Sequence, residues 1–217
     1  MGRTELNMSR DNAPNVQWIP LETGPAPEKG KPAISVEWQK GIDRDEVIEQ
    51  RVKELMSESI DYLKQLYGED YPTPAQFLVE MTKRDGHAAQ GSLIRMAVDS
   101  IKQFDELGEP KKDQERSLIV HEVVHNLRDE EDLSMLVEMI YMIERGHLWR
   151  LAILGKIRNE GRLTAPYETG LATIASWLDT TIDDLLDETS PKNLDLMREV
   201  FRREIRLIIN EMEMTLR

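Results

Sequence analysis

From Asp43 onward, apolar residues return at steps of three and four, and glycine or proline cuts this rhythm into helix-sized pieces. In the first piece Val47, Ile48, Val52, Leu55, Met56, Ile60, Leu63 and Tyr67 share one face. Asp43 with Glu46 gives its capping signal, and Gly68 ends it. Thr73-Pro74-Ala75-Gln76 reads as a second start, combining a cap, a proline at the first helical position and a capping-box glutamine. It predicts a helix that stops near Asp85-Gly86. A third is expected over 88–107, with Leu93, Ala97, Ile101 and Phe104 on one face. Further helices are expected over 112–128, 130–145, 147–159, 167–178, 181–187 and 191–216, the last with Ser190 as cap and Pro191 in its first position. No internal repeat accompanies them. The expected fold is all-α: an irregular bundle of about eight or nine helices.

Residues 1–42 break the rhythm. Pro14, Pro20, Pro25, Pro27 and Pro32 fall here, half of the chain's ten prolines, and no helix survives such spacing. The segment reads as an extended, proline-rich N-terminal arm. It nevertheless carries Trp18, Ile19, Leu21, Val36 and Trp38, apolar anchors suited to a partner surface, and the alternation over 33–39 predicts one short strand. The expected division is an arm over 1–42 and a helical domain over 43–217, divisible into lobes 43–128 and 129–217.

The chain has 217 residues, no cysteine and a formal net charge of -13. Disulfides, thiolate metal sites and cysteine catalysis are therefore excluded. The negative field disfavours non-specific contact with nucleic acid or anionic membrane. No apolar leader follows Met1, and charges interrupt every apolar run before membrane-spanning length. A cytoplasmic protein, or a particle assembled in the cytoplasm, is expected.

The sharpest motif is His121-Glu122-Val123-Val124-His125. On a helix, a spacing of four sets both imidazoles on one face, where they can share a zinc ion, with Glu122 placed as general base. Leu118, Ile119 and Val120 before it, and Asn126 and Leu127 after it, extend its resemblance to the zincin metallopeptidases. That resemblance implies zinc on His121 and His125, a catalytic Glu122, and an edge strand lining the substrate. The residues upstream instead read as helical. Glu138, Glu144 and His147 are the candidates for a third ligand. The helical wheel centres the apolar face on Ile119, Val120, Val123 and Leu127, leaving the histidines on the other side, as in a cleft or a solvated face.

A second motif lies towards the C-terminus. Pro166, the Ile174-Ala175-Ser176-Trp177-Leu178 core, a three-residue turn and Ile182-Asp183-Asp184-Leu185-Leu186 resemble the last two helices of Cro-type helix-turn-helix repressors. The resemblance implies a DNA reader over 147–187, with Arg150, Lys156, Arg158 and Arg162 as phosphate or base contacts. These belong to a basic island over 145–162 in an otherwise acidic chain. The span from Phe104 to Glu144 resembles MazG-type nucleotide pyrophosphohydrolases faintly, but lacks most of the carboxylates that hold their magnesium.

The leading expectation is a non-enzymatic interaction subunit of a larger oligomeric assembly, such as a virus particle or multiprotein machine. It would join copies of itself or neighbouring subunits through the arm, with no cofactor. A DNA-binding regulator is the first alternative and a zinc metallopeptidase the second.

Overall fold

The computed structural model describes residues 32–68, 74–83, 86–90, 93–125, 131–147, 149–187 and 193–215. Trp18, Ile19, Leu21, Ser190 and Pro191 lie outside them. The chain from Lys31 to Arg217 makes up one unit.

Among the described residues, eight α-helices accompany a small mixed sheet, which overturns the all-α expectation. β1 (Ala33–Trp38) is the short strand expected from alternation, and α1 (Glu46–Tyr67) follows it. The cap of α1 is Asp45 rather than Asp43, its carboxylate accepting from the backbone N–H groups of Val47 and Ile48. β2 (Gln76–Thr82), β3 (Ala88–Gln90) and β4 (Leu93–Ala97) then occupy the stretch expected to hold two helices. Only its last part is helical, in α2 (Val98–Gln103).

Two periods compete in this stretch. Phe77, Val79 and Met81 are fully buried while Leu78 and Glu80 are half-buried between them. Ile94 and Met96 repeat that two-residue period in β4. The capping-box residues and the spacing of Leu93, Ala97, Ile101 and Phe104 mimic helix signals, but backbone pairing to neighbouring strands decides the outcome. β1 runs parallel to β2 with Ala33 opposite Gln76, and β2 runs parallel to β4 with Glu80 opposite Arg95. That last pair forms an ion pair at 2.9 Å. β3 is antiparallel to β4, giving the order β1-β2-β4-β3 with β3 at an edge.

The remaining helices lie close to their expected spans: α3 (Glu109–His125), α4 (Glu131–Glu144), α5 (Trp149–Asn159), α6 (Ala165–Trp177), α7 (Ile182–Leu186) and α8 (Leu194–Thr215). Asn193 starts α8, its side chain accepting from Leu196 N at 3.1 Å. Contacts His125–Glu131, His121–Glu138 and Asp113–His147 step down α3 as they climb α4 and the residues after it, so the two helices form an antiparallel hairpin. α1 packs on α3 and α8, and α6 packs on α4. No described helix is long and apolar enough to cross a membrane.

Two glycines inside helices have opposite surroundings. A Cβ on Gly170 of α6 would collide with the end of the Met139 side chain, which is buried on α4. A Cβ on Gly155 of α5 would only touch Leu186 at 3.5 Å. We expect Gly170→Val to destabilise by about 1–3 kcal/mol through overpacking. Gly155→Ala should instead stabilise by about 0.5–1 kcal/mol through backbone entropy. Urea denaturation of both variants checks this.

Glu144, 8% exposed, gives a pH dependence. Burial raises its carboxyl above the ordinary 4.5, against the opposing pull of Arg202 and Tyr62. The native state therefore holds this proton more tightly than the unfolded chain, and stability falls as pH rises from 4.5 through the raised folded value. Glu144→Gln should remove that fall. Its melting temperature should exceed wild type at pH 7, and the two should converge in acid.

Candidate metal centre

Six consecutive residues of α3, Ile119 to Val124, are buried. The histidine face therefore is not a solvated one: His121 and Glu122 are 6% and 8% exposed. α3 is enclosed on several sides, so a wheel with one apolar centre misjudges it.

The four-residue spacing places His121 Nε2 and His125 Nε2 3.1 Å apart, with the rings edge to face. Glu131, the first residue of α4, is brought back to them by the hairpin. Its Oε1 lies 3.7 Å from His121 Nε2 and its Oε2 3.3 Å from His125 Nε2. His121, His125 and Glu131 thus offer three ligand atoms within 4.8 Å of one another. Glu131 is half exposed, so one side of the cluster meets solvent.

Two turns further along α4, Glu138 stands behind the cluster, 3.3 Å from the other nitrogen of His121, Nδ1. Of the third-ligand candidates from sequence, Glu138 is therefore a backing carboxylate. Glu144 lies at the far end of α4 beside Arg202. His147 binds Asp113 Oδ2 at 2.6 Å. Glu131 was missed because no recurrent spacing points to it; only the hairpin turn makes it a neighbour.

Electrostatics suit a cation. Burial disfavours a charge on His121, but the carboxylates of Glu138, Glu122 and Glu131 outweigh it and raise its proton affinity above the ordinary histidine range. Burial also raises the Glu122 carboxyl, against the pull of His121, His125 and His87. His87 stands just before β3, its side chain 1% exposed, and its Nε2 lies 3.2 Å from Glu115 of α3. The four histidines of the chain therefore all lie on α3 or against it. His87 ties the edge strand to the helix that bears the cluster, two turns before His121, so a strand replaces the helix expected in that stretch.

The other expected sites fare differently. Val36 and Trp38 sit in β1, half-buried against the chain's own core. The helix-turn-helix elements exist as α6 and α7, but the basic island is largely paired within the chain. Arg150 lies 3.6 Å from Glu138. Arg158 bonds Glu168 and Asp183 at 3.1 and 2.8 Å, and Arg162 bonds Glu160 at 2.9 Å. Lys156 lines a shallow groove between α5 and α7 together with Asp183 and Asp187. Comparison with known proteins finds no matching family model, curated protein or solved structure.

Proposed function

We propose that this protein is a zinc-dependent hydrolase of the zincin kind, with His121, His125 and Glu131 as ligands and Glu122 as general base. The convergence of three ligand atoms carries this reading. Tetrahedral zinc with bonds of about 2.0–2.1 Å holds its ligand atoms about 3.3 Å apart. The two imidazole nitrogens are 3.1 Å apart, and Glu131 reaches one with Oε2 at 3.3 Å and the other with its second oxygen, Oε1, at 3.7 Å. Taking one atom from each residue, all three lie within 4.8 Å of one another. Two nitrogens and one carboxylate are also a donor set that suits zinc. Zinc bound there would supply Lewis acidity toward water and a carbonyl group.

The chain's own groups do the rest. Glu122 takes a proton from the attacking water and returns it to the leaving amine. Glu138 fixes the orientation of His121. β3 is the proposed bed for a peptide: it is an edge strand, paired on one side to β4 and held to α3 by His87 and Glu115. An extended peptide would add to its free side.

Zinc content of the purified protein, measured by plasma mass spectrometry, tests this. One equivalent is expected, lost in the His121→Ala and His125→Ala variants. Glu122→Gln should keep the metal and lose hydrolysis of an unfolded peptide library by about 10²-fold or more. A zinc-free wild-type protein after reconstitution sinks the reading.

A second reading, the interaction subunit of an oligomeric assembly, draws on β1. Its outer edge has no strand partner among the described residues, and a strand from another copy would fit there. Light scattering tests this second reading: an assembly subunit gives a defined oligomer, and a monomer rejects it. A duplex-binding role has no comparable support, because its arginines are already engaged with carboxylates.

A further inference from the structure

Glu138 is 2% exposed on α4, where a carboxylate needs compensation from several sides. One side is His121, whose Nδ1 lies 3.3 Å from Oε2. The other side comes from two later helices. Arg150, in the first turn of α5, brings Nη2 to 3.6 Å from Oε1. Tyr167, near the start of α6, donates from Oη to Oε1 and Oε2 at 3.4 and 3.5 Å. Arg150 Nη2 also donates to Tyr167 Oη at 3.4 Å, closing a ring of three side chains around one carboxylate.

α6 is pressed onto α4 at this place. A Cβ on Gly170, one turn beyond Tyr167, would lie 3.7 Å from the Leu136 backbone of α4 and would push the Met139 methyl aside. Tyr167 thus reaches Glu138 from a helix packed closely on α4.

We propose that Glu138, Tyr167 and Arg150 form a positioning relay that ties the metal affinity of the His121 site to the docking of α5 and α6 on α4. This rests on the zinc reading of that site. Glu138 Oε2 faces His121 Nδ1 at 3.3 Å, and its negative charge favours a proton on that nitrogen, which leaves the Nε2 lone pair to His125 and Glu131. Tyr167 and Arg150 hold the Glu138 carboxylate in place for that contact. None of the three touches the metal. A ligand or partner that shifts α5 and α6 would loosen zinc without approaching it.

The experiment measures zinc affinity by competition with a chromogenic chelator, for wild type, Glu138→Gln and Tyr167→Phe. The metal-free melting curve and the ¹⁵N imidazole spectrum of His121 are recorded on the same samples. Glu138→Gln should bind zinc about 10–100-fold more weakly, the range for loss of a partner behind a ligand. Tyr167→Phe should weaken it less, with its metal-free melting temperature near wild type. In both variants His121 should lose its single Nδ1–H tautomer in the metal-free protein.

Wild-type affinity in both variants overturns the relay while leaving the zinc site standing. A wild-type protein that binds no zinc removes the metal reading instead, and the imidazole spectrum then decides the relay by itself. An unchanged His121 tautomer in Glu138→Gln and Tyr167→Phe rejects it. Should Glu138→Gln fail to fold, Tyr167→Phe carries the comparison.

Discussion

Placing ionisable groups inside a helix pair forces each one to find a partner, and that constraint organises this protein. His121, Glu122 and Glu138 are all nearly excluded from water. An isolated charge in such a place would cost several kcal/mol. The cost is offset by bringing opposite charges from separate parts of the chain: Glu131 and Glu138 from α4, Arg150 from α5 and, further down α3, His147 against Asp113. The antiparallel docking of α3 on α4 is what makes these pairings possible. Mutual satisfaction of this kind fixes the register of the two helices more sharply than apolar packing alone.

The sheet plays a different part. Its parallel strands β1, β2 and β4 supply buried apolar residues, while antiparallel β3 ends at the edge nearest α3. His87 and Glu115 bind that edge to the helix. The strand is thereby tied to the helix that carries the histidine cluster, two turns before His121.

The helices from residue 109 on were legible because each is long, rhythmic and punctuated. The strands were not. Gln76 to Ala97 carries its two-residue period in short runs, and Gln76, Leu93 and Ala97 fall by chance at positions that also satisfy helix rules. Parallel pairing with β1, far away in sequence, overrides those rules and cannot be read locally. The metal cluster was half legible. His121 and His125 announce themselves by spacing, whereas Glu131 joins them only because the hairpin folds back. Arg158 and Arg162 are neighbours in a basic stretch, and Glu168, Asp183 and Glu160 meet them in space. Charge counted along a chain is not charge presented at a surface.

The parallel pairing of β1 with β2 also sets an order of events during folding. Ala33 meets Gln76 only after the whole of α1 has been accommodated between them, which makes this a late, non-local closure. The α3–α4 hairpin closes over a handful of residues and needs no such journey. By contact order alone, the imidazoles and Glu131 would come together before the parallel sheet is complete. A divalent ion in the surrounding solution would meet a gathered ligand set while the chain is still partly open, and its binding energy would then favour collapse of the remaining strands.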